Sequence, residues 1–471
     1  MYEACIGLEV HVELDTASKA FCSCPVKYKA ELNSCVCPVC MGLPGAMPVL
    51  NKKIVEYAVR LGLALNCSIN TISQHARKNY FYPDLPKGYQ ISQGAKSICT
   101  DGYVEINGRR IRINRIHIEE DAGKLIHTQK ETLVDFNRAG VPLLEIVTEP
   151  DIRNCEEARL FLETVRNTAV SLGISECRME QGQLRCDVNV SVRKKGDDAL
   201  NERCEMKNIN SFSAALRSIE HDVARQLEIV KSGGSITRET RRWDDIVQKS
   251  VLLRSKESEG DYRYFPEPDL PPIVIDEEWL KKIKTEMPEP FLEKTERYKA
   301  MYSLSEYDAI TIASDVNYGL LLDTAMKHGA DAKTVANMLL GFISHIVNER
   351  AMETAQIPFD GKSLAELSIL VCKNEISYTA AGKVIEIMFD TNLSPQEIVE
   401  NNNLGQISDE TALEKTAKAV IEKNTKSVCD YKKGKMNALG YLVGQCMKET
   451  KGKANPALVK KMLEKLLEEM E

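Results

Sequence analysis

The sequence has no run of about eighteen apolar residues, and its opening Met1-Tyr2-Glu3-Ala4-Cys5 has neither the basic nor the apolar stretch of an export signal. Membrane insertion is therefore not expected, and a cytoplasmic location is. An excess of positive charge is missing too. Lys and Arg number 62 against 69 acidic residues, a net −7, so overall composition does not announce a nucleic-acid binder. There is no G-x-x-x-x-G-K-[ST] and no strand-linked G-x-G-x-x-G, which removes P-loop and dinucleotide folds. No serine-rich amidase signature and no Cys/His pattern for cleaving an amide stands out, and internal repeats and low-complexity segments are absent.

What is present is an ordinary globular composition, 43% apolar and 28% charged over 471 residues, enough for about three domains. Residues 1–290 read as strands mixed with helices. Ile6, Leu8, Val10, Val12 and Leu14 alternate with Gly7, Glu9, His11 and Glu13, and Cys186, Val188, Val190 and Val192 alternate with Arg185, Asp187, Asn189 and Ser191. A period of two marks half-buried strands. Helical spacing interrupts at 154–172 and 211–231, without a regular β-α rhythm, so the class is α+β. Six of the seventeen prolines fall between 266 and 290. Beyond them 316–328, 331–350, 363–373 and 378–389 carry helical spacing, which predicts an all-α domain over 291–404. A break at Asn401-Asn402-Asn403-Leu404-Gly405 sets off a small helical tail, 405–471.

The tail conceals a local charge: residues 415–461 hold twelve lysines against three acids. Asn455 and Pro456 form a helix start, and Lys451-Gly452-Lys453 just before it puts two cations where a phosphate is favoured. A solvated lysine-rich surface and a contact tracking a nucleic-acid backbone both fit this pattern.

Six of fifteen cysteines lie in the first forty residues. In a reducing compartment such clustering points to metal. Cys22-x-Cys24 and Cys37-x-x-Cys40 are two thiolate pairs able to grip one tetrahedral zinc, with Cys35 a competitor for Cys37. Four protein thiolates leave no position for water, so this zinc is structural. Carboxylates recur on strands: Glu9 beside His11, Glu119-Glu120-Asp121, and Glu145 inside Val141-Pro142-Leu143-Leu144-Glu145-Ile146-Val147. Oxygen ligands from separate strands plus an imidazole suit a hard cation such as magnesium, although each acid singly also fits a solvated face or an ion pair. Arg77, Lys78, Arg185, Arg193, Arg203, Lys207, Arg241, Arg242, Arg254 and Arg263 supply the positive groups that phosphoryl transfer needs opposite such acids.

Several runs resemble a known family: IGLEVHVEL at 6–14, RKNYFYPDLPKGYQISQ at 77–93, HIEEDAGK at 117–124 and DFNRAGVPLLEIVTEPDIR at 135–153. So do RCDVNVSVR at 185–193, KNINSF at 207–212, DYRYFPEPDLPP at 261–272 and GYLVGQCMKETKGKANP at 440–456. The chain resembles the B subunits of bacterial aspartyl/glutamyl-tRNA(Asn/Gln) amidotransferases over essentially its whole length. The resemblance implies a glutamine synthetase-like α+β cradle over 1–290 with a zinc-binding loop at 22–40, then the helical domain and a tail that docks on tRNA. It implies a ligase that forms a carbon–nitrogen bond with glutamine as amide donor. Such a ligase works in a heterotrimer with a glutaminase (the A subunit) and a small third chain (the C subunit). ATP and magnesium would phosphorylate the side-chain carboxylate of Glu-tRNA(Gln) or Asp-tRNA(Asn), and ammonia would displace phosphate. Carried onto this sequence, the magnesium ligands fall on His11, Glu120 and Glu145. Glu9 and Glu119 become outer or second-ion groups, Lys78 and Arg185 lie at the kinase site, and Gly440, Lys451, Gly452 and Lys453 meet tRNA. A non-catalytic, zinc-containing tRNA-binding protein within the same complex is the alternative reading.

Overall fold

A computed structural model describes residues 2–255, 262–406, 410–432, 435, 437–450 and 454–468. The expected tRNA contacts Lys451, Gly452 and Lys453 therefore lie outside the described residues. The chain forms two compact units, Met1–Lys294 and Thr295–Glu471.

The first unit is built on a nine-stranded sheet. Its spatial order is Lys249–Ser255, Glu239–Asp244, Cys204–Lys207, Leu184–Lys194, Tyr2–Glu13, Pro142–Thr148, Arg109–Glu120, Cys99–Ile106 and Ser68–Ile69. Neighbours run antiparallel except Cys204–Lys207 against Glu239–Asp244, which are parallel. The alternation seen in sequence decides the two faces. Ile6, Leu8, Val10, Val12, Val188, Val190, Ile116, Ile118 and Ile146 are buried in one apolar core with residues of three helices, Lys52–Ala64, Cys155–Ser171 and Phe212–Lys231. Each of these helices starts on a side-chain cap, with Asn51, Asn154 and Ser211 accepting from the backbone N–H of Lys53, Glu157 and Ala214. The other face of the central strands carries Glu9, His11, Glu13, Glu145 and Asp187.

The proline-rich stretch is woven into this unit. Phe265–Pro266 pairs with His75–Asn79, which pairs in turn with Tyr89–Gln93. Ile273–Val274 pairs with Ile72–Ser73, and Ile283 of the helix Glu277–Glu286 is buried in the main core. Proline lacks a ladder donor, so it suits such short edge segments or, like Pro142, the first residue of a strand. Arg77 anchors the stretch, donating to both oxygens of the buried Glu267 at 2.8 Å and to Asp269 at 3.0 Å.

The second unit is helical, as expected. Val316–Lys327, Gly361–Cys372 and Tyr378–Met388 match the spacing closely. The long 331–350 helix is interrupted by a wider turn, Leu339–Ile343, between Ala332–Met338 and Ser344–Glu349. Gly361 lets two helices touch: a Cβ there would lie 2.3 Å from the Leu321 carbonyl and 2.9 Å from the Ala325 nitrogen. Backbone atoms cannot step aside, so Gly361→Ala is expected to lower unfolding stability by about 1–3 kcal/mol in a urea titration. In the tail, Leu413, Val420, Leu439, Leu442, Cys446, Val459, Leu463 and Leu467 make an apolar cluster of their own. Asn455 accepts from the Leu458 N–H at the start of the helix Pro456–Glu468, as its sequence position predicts. Among the described residues no helix is long and apolar enough to cross a membrane.

Candidate active site

Strand register assembles the site. Arg185 pairs with His11, His11 with Glu145, and Glu145 with His117, a single row across four strands. Side chains of cross-strand partners on one face lie within reach of each other. The Glu145 carboxylate lies 3.4 Å from His11 Nε2 and 3.2 Å from His117 Nε2. Glu119, two residues on from His117 and hence on the same face, reaches His117 Nε2 at 3.3 Å. It also accepts from Ser92 Oγ at 2.7 Å and Gln90 Nε2 at 3.2 Å, and Lys78 Nζ stands 3.6 Å away. One donor atom each from His11, Glu119 and Glu145 fall within 4.8 Å of one another.

The electrostatics follow from burial of opposite charges side by side. Burial alone would raise the Glu145 carboxyl, but His117 and His11 outweigh it and hold Glu145 well below the usual carboxylate range. Burial and Glu145 push Glu119 up, while Lys78 and His117 bring it below its ordinary value. Against the opposing effect of burial, Glu145 and Glu119 lift His117 to about 9. Among the described residues His117 Nδ1 is buried without a hydrogen-bond partner. Two buried carboxylates this close need a positive charge between them. The oxygen and imidazole donor set fits a small hard dication.

Glu120, expected as a ligand, is not in this cluster. Side chains alternate along Arg109–Glu120, so Glu120 follows Ile116 and Ile118 to the opposite face. There it meets Lys87 Nζ at 2.6 Å and accepts from the Ile91 N–H at 2.9 Å. Arg185 adjoins His11 in register and binds Asp121 at 3.0 Å, and Arg138 pairs with the same carboxylate. Glu9 lies one row away in a second acidic group, its carboxylate within 4.8 Å of those of Asp187 and Glu205. Burial, then Glu145, raise the Glu9 pKa. Asn189 donates to Glu9 at 2.9 Å, and Lys207 bridges Asp187 at 2.5 Å and Glu205 at 3.0 Å. A cavity of about 380 Å³ opens beside Glu9, lined by Gly7, Thr148, Asn189, Ser191 and Arg203 among others.

Sequence reasoning missed His117 as a participant, and Asp187 and Glu205 as neighbours of Glu9. The signal for His117 is its parity with Glu119. The other two depend on pairing of segments far apart in the chain.

The sulfurs of Cys22, Cys24, Cys37 and Cys40 lie within 4.8 Å of one another, while Cys35 stands outside the group, its backbone N–H bound to Asn137. The Cys37 N–H points at Cys40 Sγ, 3.1 Å away. Four converging thiols with an amide donor suit a tetrahedral thiolate-bound metal. Gly440 sits exposed on the helix Asn437–Glu449, with none of the described residues outside its own helix backbone within 4 Å of where a Cβ would be.

Two family models match the chain: the GatB/GatE catalytic domain over residues 4–281 and the GatB domain over residues 320–467. A protein of Caldicellulosiruptor saccharolyticus, named as the B subunit of aspartyl/glutamyl-tRNA(Asn/Gln) amidotransferase, is 50% identical over the whole of both chains. Proteins of the same name from Caldanaerobacter subterraneus subsp. tengcongensis and Clostridium botulinum are 50% and 47% identical, each over 98% of both chains. The polar row on the central strands thus lies inside the matched catalytic domain, and the chain belongs to the GatB family of tRNA-dependent amidotransferase subunits.

Proposed function

We propose that this chain activates the side-chain carboxylate of Glu-tRNA(Gln) or Asp-tRNA(Asn) with ATP, so that ammonia from a glutaminase partner can form the amide. The convergence of His11, Glu119 and Glu145 on one point carries the reading. An oxide is a poor leaving group and phosphate a good one, which is why the acid is first turned into an acyl phosphate. His11, Glu119 and Glu145 would hold a magnesium ion, which when bound would supply charge neutralisation for phosphoryl transfer. His117 and Lys78 keep Glu145 and Glu119 ionised and fixed in place. Arg185, tied to Asp121, puts a guanidinium at the end of the row where phosphate oxygens carry charge.

The cavity beside Glu9 is large enough for a nucleoside, and Gly7 in its lining leaves the sheet open to a ring. At the other margin Tyr80, Tyr262 and Tyr264 surround Lys78, with Tyr262 and Tyr264 42% and 45% exposed. Such rings offer stacking faces for the bases of an unpaired RNA end. Gly440 and the lysine-rich tail would meet the body of the tRNA. The glutaminase and a small third chain would complete a heterotrimer, with the first unit as a glutamine synthetase-like cradle in the cytoplasm.

The test is ATP hydrolysis by the assembled enzyme with glutamine, magnesium and a mischarged tRNA. Turnover that requires the mischarged tRNA supports the reading. No turnover favours a zinc-containing protein that only binds tRNA, and turnover indifferent to the mischarged tRNA overturns the reading. We assign Cys22, Cys24, Cys37 and Cys40 to structural zinc. Its removal is expected to lower the thermal midpoint by several degrees in a calorimetric scan, with far-ultraviolet dichroism of the sheet retained below the transition.

A further inference from the structure

Lys19 is one of the largest fully buried side chains of the chain, 0% exposed. An ammonium removed from water is costly unless it meets an opposite charge. Its Nζ donates to the Phe136 carbonyl at 3.2 Å and to Cys40 Sγ at 3.6 Å. Among the described residues no carboxylate lies within ion-pair distance of it. Glu120 lies across Gly140, and it is held by Lys87 at 2.6 Å. The room for this arrangement is made by Gly140, at φ +84°. A Cβ there would sit 3.5 Å from Lys19 Cδ, 3.6 Å from Cys40 Cβ and 3.7 Å from Glu120 Oε2. The backbone secures the same path, with Lys19 N–H on the Cys24 carbonyl and Ala20 N–H on the Gly140 carbonyl.

We propose that Lys19 is the charge-balancing partner of the four-cysteine centre: its ammonium, donating to Cys40 sulfur, offsets the negative charge that four thiolates leave on a divalent ion. A dication bound by four thiolates carries a net charge of about −2, and a buried N–H donor on one sulfur removes part of it. The interaction is strengthened because both groups are out of water. Neutral thiols give the lysine no such partner, so the same residue that favours the loaded centre disfavours the empty one. This rests on the zinc reading above, and the experiment separates the two.

The full-length chain and its Lys19→Met and Lys19→Arg variants would be titrated with a zinc chelator, and zinc release followed by a colorimetric indicator. Each would also be unfolded in urea, both zinc-loaded and stripped under reducing conditions. Lys19→Met is expected to release zinc at a chelator activity about tenfold lower or more, while Lys19→Arg stays near wild type. In urea, the Met substitution is expected to lower the midpoint of the loaded protein and to leave that of the stripped protein unchanged or higher. Equal zinc retention by wild type and Lys19→Met overturns the proposal. So does an equal loss of urea midpoint in both metal states, which makes Lys19 a support for the Phe136 carbonyl alone. A wild-type chain that neither contains nor takes up zinc overturns the zinc reading, and this inference with it. If Lys19→Met fails to fold, Lys19→Gln carries the same comparison.

Discussion

Glu145→Gln is expected to reduce amide formation by the assembled enzyme at least 10²-fold, with hydrolysis of glutamine by the partner glutaminase retained. The substitution keeps the shape of the side chain and removes its charge. Glu145 is the only carboxylate that touches both His11 and His117 among the described residues, at 3.4 and 3.2 Å. Without it the pair of imidazoles loses the anion that raises their pKa values, and the proposed cation site would lose one of its three ligands. Stabilisation of a developing phosphoryl charge is commonly worth this much in rate. The measurement is single-turnover conversion of Glu-tRNA(Gln) with ATP and saturating ammonium, which bypasses ammonia delivery. A rate within threefold of wild type would remove Glu145 from the chemistry.

The second large effect separates two adjacent acids. Glu119→Gln is expected to lower the same rate by about 10²-fold or more, because Glu119 shares the cluster with His11 and Glu145. Glu120→Gln should instead act through structure. Its carboxylate is buried and paired to Lys87, so its loss leaves an ammonium without a counter-charge. A penalty of about 3–5 kcal/mol in unfolding stability is expected for breaking such a pair, with a raised magnesium requirement confined to the Glu119 variant. If magnesium dependence shifted in Glu120→Gln and not in Glu119→Gln, the assignment by strand face would be wrong.

The contrast between these neighbours shows what can be read from sequence. Alternation in 6–14 and 185–193 is enough to sort each strand into a core side and a polar side, and burial follows it except at the small residues Gly7 and Ser191, which are buried on the polar side. The same rule, applied to Ile116-His117-Ile118-Glu119-Glu120, puts Glu119 with His117 and Glu120 with the isoleucines. The family resemblance points to Glu120, and the geometry favours its neighbour. Cross-strand partners are not legible, since His11 and Glu145 meet only through the order of strands in the sheet. The same holds for Glu9 with Asp187 and Glu205. Spacing alone locates the four-cysteine cluster, because its sulfurs come in two local pairs. The prolines at 266–290 suggest a boundary near 290, and the first compact unit ends at Lys294. What the sequence does not show is that 265–274 supplies edge strands, with Arg77 on Glu267 as a contact that binds the segment there.

The row Arg185–His11–Glu145–His117 also constrains synthesis. Its members come from chain positions as distant as 11 and 185, and no two sequence-adjacent strands among them form the row by themselves. A nascent polypeptide released before the strand ending at Lys194 has cleared the ribosome would possess three of the four residues and no finished edge to hold them. Such non-local pairing is slow to nucleate, so competence arrives late and all at once, and prematurely terminated products would be inert.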